Sequence, residues 1–341
     1  MTKLSAGLDV GDRTTAICVI NDADDTCLEV SVPTTPTAIH AALKPYRRRL
    51  HAVGLETGTR SSWLYSELSQ RRLPVVCLDA RYAHAALSAK RNKTDKTDAH
   101  GIAVLLARGL FTTVHVRSRQ AVRVRLLLNV RKTLQRKALD LQMALRMAEK
   151  MFGGNVERRG RKLVRTKAKA KGDDIHRGLS DILHRCSEAL LSEVKTLDRL
   201  VLQSANSDPV CRQLMTVPGV GPITALSFRA GVDDPKRFKS SRTVAAYFGL
   251  TPRRFQSGQT DYSGHISRMG DRAVRTALYT AAQAMLRSKR ATPLREWGLA
   301  LAKRKGKKLA NVACARKLAV IMHRMWITER DFGQLCPKHS S

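Results

Sequence analysis

Within the first eighty residues, short apolar runs are broken at close intervals by turn-forming residues, and this punctuation limits the fold more than any other feature. Ala6-Gly-Leu-Asp-Val10 reads as a strand, and Gly11-Asp-Arg-Thr14 as the turn after it. Thr15 to Ile20 is a second strand, Asn21 to Asp25 a polar turn, and Cys27 to Val32 an alternating third strand. Strands joined this tightly pair as an antiparallel meander, because parallel neighbours need a long crossover. A helix is expected over 37–49, followed by a fourth strand, Ala52-Val-Gly-Leu-Glu56. Trp63, Leu64 and Leu68 mark another helix, and Pro74-Val-Val-Cys-Leu-Asp79 a fifth strand, after which helices take over.

The order βββ-α-β-α-β-α is a ribonuclease H-like arrangement, an α/β sheet in which the first and fourth strands are neighbours. In it, Asp9 lies within the first strand and Glu56 ends the fourth. Asp95 and Asp98 follow in Lys93-Thr-Asp-Lys-Thr-Asp98, where a helix is expected to begin, and their spacing puts both on one helix face. Four carboxylates brought together repel one another, and two Mg²⁺ ions would offset that repulsion. Magnesium takes oxygen ligands and keeps positions open for water and phosphate. Two such ions about 4 Å apart stabilise both the attacking and the leaving oxygen of a phosphodiester. Singly, each acid has a plainer reading: Asp9 as a turn former, Glu56 as a solvated strand end, Asp95 and Asp98 as acids at a helix N-terminus. Their joint placement makes Asp9, Glu56, Asp95 and Asp98 the expected catalytic metal ligands. Asp79 reads as the cap of the next helix, and His100 as a helix-surface residue.

The charge balance points to the partner. The 341 residues carry 62 Lys+Arg against 28 Asp+Glu, a formal charge of +34. A compact chain with that excess repels itself until a polyanion neutralises it, and nucleic acid does so with release of condensed counterions. The excess concentrates over 117–177, with 19 Lys+Arg against 5 Asp+Glu. Leu126, Val130, Leu134, Leu141 and Leu145 keep helical spacing there. Ile182, Leu183, Leu190, Val194, Leu197 and Val201 mark a second helix over 175–202, and the stretch 158–171 between them is expected as a loop. Two long helices around a basic connection suggest an antiparallel coiled coil. Arg131, Lys132, Arg158, Arg159, Arg161 and Lys162 are its expected nucleic-acid contacts. The chain accordingly divides into 1–112, 113–207, a mostly helical 208–330 and a tail, 331–341.

In the third region, Pro218-Gly-Val-Gly221 reads as a helix-hairpin-helix turn, with Gly219 and Gly221 offering backbone N–H groups to phosphate. A plain interhelical turn is the alternative. Further on, Phe248-Gly-Leu-Thr-Pro-Arg-Arg-Phe-Gln-Ser-Gly258 sets Ser257 in an expected loop among Arg253, Arg254, Arg268, Arg272 and Arg275. Guanidinium groups bind phosphate oxygens in pairs and stabilise charge developing on them. A serine attacking phosphorus there would conserve the bond energy as an ester, so that strands rejoin without ATP. Tyr262 and Ser263 are competing nucleophiles. A basic run over 303–308 precedes a closing helix whose apolar face is Leu309, Val312, Leu318, Ile321, Met322 and Met325. The 7 cysteines are scattered with no C-x-x-C pair, which argues against a disulfide framework and a zinc site. Asp9 breaks the one early apolar stretch and no run is long enough to span a bilayer, so the expectation is a cytoplasmic, nucleoid-associated protein.

Six motifs follow one another along the chain: Gly7-Leu-Asp-Val-Gly11, Leu55-Glu-Thr-Gly58, Lys93 to Asp98, Pro218-Gly-Val-Gly221, Gly249-Leu-Thr-Pro252 and Gln256-Ser-Gly258. In this order and spacing the chain resembles the DEDD-type transposases of bacterial insertion sequences (the IS one-ten family), which are bridge-RNA-guided recombinases. The resemblance covers nearly the whole chain, with no departure at a motif position. It implies a RuvC-like N-terminal domain, a coiled-coil segment and a C-terminal transposase domain. It places the acidic tetrad at Asp9, Glu56, Asp95 and Asp98 and the nucleophilic serine at Ser257. It further implies Mg²⁺ as cofactor, target and donor DNA as substrates, and a noncoding RNA encoded by the element as guide. A homodimer or homotetramer is implied as well, in which the acids of one subunit meet the serine of another. The expected activity is excision and integration of an insertion sequence through a phosphoserine intermediate. The rivals are a RuvC-like Holliday junction nuclease that uses water, an actin-like phosphotransferase suggested by the stretch Leu8 to Thr15, and a non-catalytic nucleic-acid-binding protein.

Overall fold

The computed structural model describes residues 3–80, 95–159, 162–165, 174–257 and 260–335. The chain divides into two compact units, Met1–Arg119 and Gln120–Ser341.

The first unit is built on β1 (Leu4–Val10), β2 (Thr14–Asn21), β3 (Thr26–Pro33), β4 (Leu50–Glu56) and β5 (Val75–Leu78), in the sheet order β3-β2-β1-β4-β5. β1, β2 and β3 pair antiparallel, while β4 and β5 join on the other side of β1 in parallel. This is the order of elements expected for a ribonuclease H-like sheet. α1 (Pro36–Leu43) is capped by Thr35, whose hydroxyl accepts from the Ala38 amide at 3.2 Å. It stops short of the expected residue 49 because Pro45 cannot continue an α-helix, and Lys44–Tyr46 tighten into a 3-10 turn. α1 and α2 (Ser61–Gln70) cover one face of the sheet, against Leu4, Leu8, Ile17, Val53 and Leu55. α3 (Asp95–Ala107) covers the other, against Ala16, Cys18, Ile20, Ala52 and Leu78.

The second unit opens with two long helices, α4 (Arg119–Met151) and α5 (Asp174–Ser207). They run antiparallel, since Arg131 meets Asp198 near one end and Phe152 packs on His176 near the other. Part of the stretch expected as a loop is an antiparallel ribbon, β6 (Val156–Arg159) with β7 (Lys162–Arg165). Its pairing needs only backbone hydrogen bonds and one anchor, buried Val156 packed with Leu145. Beyond it come α6 (Pro209–Leu214), α7 (Pro222–Val232), α8 (Ser241–Tyr247), β8 (Pro252–Ser257), β9 (Thr260–Ile266), α9 (Arg272–Arg287), α10 (Pro293–Lys305), α11 (Lys307–Thr328) and α12 (Phe332–Leu335). The core of this region gathers Phe228, Phe248, Leu278 and Met285 around the stripe of α11. That stripe runs through Ala310, Cys314, Leu318, Met322 and Met325, so Leu309, expected on it, is exposed instead. No described helix is long and apolar enough to cross a membrane.

Candidate active site

Glycine weakens a strand, so Gly7 and Gly54 within β1 and β4 call for a reason. Alternation along β1 sends Leu4, Ala6 and Leu8 to the face of α1 and α2, and Gly7 and Asp9 to the opposite face. Along β4, Val53 and Leu55 take the first face, leaving Gly54 and Glu56 on the second. α3 lies directly on that second face. A Cβ on Gly7 would stand 2.0 Å from the Ala99 carbonyl oxygen and 2.6 Å from the Ala103 amide nitrogen. A Cβ on Gly54 would meet the Leu106 and Ile102 side chains at 2.6 and 2.9 Å.

The direction of α3 decides what its first turn meets. Its last residues, Leu106 and Ala107, line a cavity with Lys3, Ser5, His51 and Ala52, where β1 and β4 begin. The helix therefore runs antiparallel to both strands, and its first turn lies toward their C-terminal ends. Asp9 and Glu56 stand at those ends, half-buried, and Asp98 is half-buried in the first turn of α3. The parallel register pairs Leu8 with Leu55, so the two acids are the next step on neighbouring strands. Lys96 reaches across the same face of the sheet to β3, where it meets Glu29 at 2.9 Å. Asp95 opens α3, and its side chain lies outside the described residues. Among the described residues, no three His, Cys, Asp or Glu side chains form a group able to hold a metal ion. Asp79 follows β5, and the helix it is expected to cap falls in 81–94, outside the described residues.

Ser257 is the exposed last residue of β8, paired with Thr260 of β9, rather than a loop residue. Phe255 and Tyr262 stand directly opposite one another and stack, ring centroids 5.1 Å apart at 21°. That cross-strand pair supports a ribbon otherwise rich in polar residues. Beside it, Arg254 Nε donates to Asp261 Oδ1 at 2.8 Å, and this hydrogen bond holds the Asp261 carboxyl below its usual range. Arg254 is thus engaged inside the hairpin. Arg253 is exposed and donates to the Ser267 carbonyl at 3.3 Å, and exposed Arg268 and Arg272 follow the Pro252–Ile266 end of the ribbon, the end away from Ser257. Arg275 is turned inward instead of toward the serine. It donates to the Phe248 and Met269 carbonyls, both at 2.9 Å, and so ties the hairpin's flanks to α9.

Two segments of the chain match family models. Residues 6–148 match a DEDD transposase model, and residues 211–296 one described as the transposase IS116/IS110/IS902 family. A putative transposase of Sinorhizobium fredii is 29% identical over 252 residues, which is 72% of this chain and 65% of that protein, just under two thirds of its length. The transposase for insertion sequence element IS1111A of Coxiella burnetii is 30% identical over 250 residues, 70% of this chain and 68% of that protein. The chain belongs to the IS116/IS110/IS902 transposase family. Among solved structures, a Thermus thermophilus RuvC is similar at 16% identity, covering 33% of this chain and 99% of that one with a TM-score of 0.25. The first family segment contains Asp9, Glu56, Asp95 and Asp98, and the second contains Ser257.

The residues of this family member expected to touch nucleic acid fall into distinct groups. Arg131 is buried, its Nε donating to Asp198 at 2.5 Å and its Nη1 to Gln135 at 3.1 Å. It pins α4 to α5 and does not face a phosphate, because an acid on the neighbouring helix claims its charge. Lys132, one residue on, is exposed. Arg158, Arg159 and Lys162 belong to the β6–β7 ribbon; their side chains, and Arg161 altogether, lie outside the described residues. Gly219 adopts φ 87° where a Cβ would meet the Ala281 carbonyl oxygen at 2.4 Å, so its turn is shaped by contact with α9. Gly221 precedes α7 with open space around its Cα. Two features go unremarked by motif reading, the helix seat formed by Gly7 and Gly54 and the Phe255–Tyr262 stack. The first has a sequence signal, since Gly-Leu-acid occurs in both strands, at Gly7-Leu-Asp9 and Gly54-Leu-Glu56.

Proposed function

We propose that this chain is a DNA transposase that breaks and rejoins phosphodiesters with its acidic tetrad and Ser257, guided by a noncoding RNA. The observation that carries the reading is the antiparallel seat of α3 on Gly7 and Gly54, with its first turn, where Asp98 lies, toward the end of the sheet at which β1 and β4 carry Asp9 and Glu56. A set made wholly of carboxylates, with Asp9, Glu56 and Asp98 half-buried, fits a hard divalent cation such as Mg²⁺, and Asp9, Glu56, Asp95 and Asp98 would hold it. Bound there, the metal supplies charge neutralisation at the phosphate and at the oxygens that enter and leave phosphorus.

The rest falls to the chain's own groups. The Ser257 hydroxyl, at an exposed strand end, can approach a phosphate in a nucleic-acid backbone. As the bond from Oγ to phosphorus forms, the bond from phosphorus to one deoxyribose oxygen breaks. The hydroxyl gives up its proton, and the departing oxygen takes one up. Exposed Arg253 on the same strand, and Arg268 and Arg272 beyond the other end of the ribbon, supply positive charge for the nucleic-acid backbone. The resulting ester keeps the bond energy, so a hydroxyl of another strand can reverse the step and rejoin DNA. The charge of +34 suits a chain that holds a guide RNA and two DNA segments, and in the assembled oligomer the acids of one copy serve the serine of another.

A trapping assay tests this. The chain is incubated with the junction DNA and noncoding RNA of its element, in Mg²⁺ or EDTA, then denatured and examined for a protein–DNA adduct. The expected adduct requires Mg²⁺ and is absent in Ser257→Ala. Cleavage without an adduct would assign the nucleophile to water, and binding without cleavage would remove the enzymatic reading.

A further inference from the structure

We infer that the stacked Phe255–Tyr262 pair is a seat for one unpaired DNA base beside the phosphate that Ser257 attacks. The choice of phosphate rests on the proposed role of Ser257; the seat itself does not. Large aromatic side chains are normally drawn into a core, yet Phe255 is 44% exposed and Tyr262 57%. Phe255 has a packing duty, because its ring covers Gly264, where a Cβ would stand 3.1 Å from Phe255 Cε2. Among the described residues, Tyr262 covers no glycine in this way. Its ring rests on Phe255 and keeps more than half its surface in solvent.

Strand register then ties the pair to the serine. Phe255 and Ser257 alternate onto one face of β8, and Tyr262 and Thr260 stand opposite them. Two strand residues span about 6.6 Å, and stacked nucleotides repeat about every 3.4 Å along a strand. A base on Tyr262 therefore lies within about two nucleotides of a phosphate at Ser257. Exposed Arg253 lies two residues before Phe255 on the same strand, and with the chain's charge of +34 this suits a base on a phosphate backbone better than an apolar peptide. The base must be unpaired and out of the stack for its face to be open. Ring-on-ring contact tolerates any base, so the seat holds the flanking nucleotide without reading it. Tyr262 is thus a positioning residue.

The test uses the full-length chain carrying Ser257→Ala. Fluorescence anisotropy measures its binding to a single-stranded oligonucleotide from the element's junction, and to copies with one abasic site moved along the nucleotides flanking the cleaved phosphate. Adding Tyr262→Leu is expected to weaken binding of intact DNA by about five- to hundredfold. Adding Tyr262→Phe keeps the ring face and leaves binding unchanged, and one abasic position erases the leucine penalty. Equal binding by Tyr262→Leu, or an equal loss at every abasic position, would overturn the seat and leave the pair as hairpin packing. A loss in Tyr262→Phe would overturn it in favour of the phenol hydroxyl, and a penalty confined to the noncoding RNA would overturn it in favour of RNA. Failure of the serine reading shows separately, as cutting of the labelled DNA by Ser257→Ala on a denaturing gel.

Discussion

Replacing Gly7 with alanine adds one methyl group beneath α3, and the surrounding atoms set its cost. The new carbon would stand 2.0 Å from the Ala99 carbonyl oxygen and 2.6 Å from the Ala103 amide, both backbone atoms that no side-chain rotation can move aside. Side-chain carbons keep beyond 3.0 Å of such atoms, so α3 must lift by about 1 Å. Overpacking of this kind costs about 1–3 kcal/mol, while loss of glycine's unfolded-state freedom returns about 0.5–1 kcal/mol. A modest net destabilisation is expected, and the unit still folds. Activity should suffer more. Asp98 directly precedes Ala99 and moves with it, away from the strand ends that carry Asp9 and Glu56. A 1 Å misplacement of catalytic groups can cost about 10²-fold in rate, so adduct formation in Mg²⁺ should fall by about that factor. Gly54→Ala is the comparison, because its nearest atoms are the ends of the Leu106, Ile102 and Leu78 side chains, which can turn away. Its rate loss should be about tenfold or less. Urea unfolding followed by circular dichroism gives the stability, and the trapping assay gives the rate. Gly7→Ala with parental stability and rate, or Gly54→Ala as damaging as Gly7→Ala, would refute the role given to the helix seat.

Other consequences can be measured directly. Arg131→Met should cost about 1–2 kcal/mol in urea unfolding, a buried-pair loss discounted for the partly exposed Asp198, and leave the salt dependence of RNA binding unchanged. Lys132→Ala should do the reverse, lowering the slope of log affinity against log salt by about 1 at parental stability. Asp271 caps α9 by accepting from the Ala273 and Val274 amides at 2.8 and 3.3 Å, and it also pairs with Arg125 of α4. Burial alone would raise its carboxyl pKa, but Arg125 and the two amides outweigh burial and hold it below the ordinary value. Its stabilisation is therefore complete above the unfolded value of about 3.9 and is lost as pH falls through the lower folded value. Asp271→Ala should cost about 1–2 kcal/mol at neutral pH and flatten the acid limb of the stability curve; an unchanged acid limb would count against the pairing.

Sequence pattern records burial, and this determines how far the fold could be read in advance. β1, β2 and β4 declare themselves because their apolar residues are buried on both faces of one sheet. β6 and β7 do not, because their pairing is carried by backbone groups of mostly charged residues. β8 is exposed along its whole length, so no alternation announces it, and Ser257 reads as a loop residue until the Phe255–Tyr262 pairing is seen. Counting charge groups Arg131 with Lys132, although one is spent inside the helix pair and the other faces solvent. The candidate site sits where burial ends. Asp9, Glu56 and Asp98 are half-buried, and Ser257 is exposed. A polar residue there leaves no periodic signal of its own; its position is inherited from the backbone beneath it. For the acids, that support is legible after all. A glycine two residues before an acid in a strand puts an unfilled place and a carboxylate on one face, and only an element packed close can use the first. Two neighbouring parallel strands with the same Gly-Leu-acid order therefore call for a helix laid across both glycines, and α3 is that helix. Such a pattern constrains the site more tightly than the acids alone, because moving either glycine by one residue would leave the carboxylate in place and turn the helix seat to the wrong face.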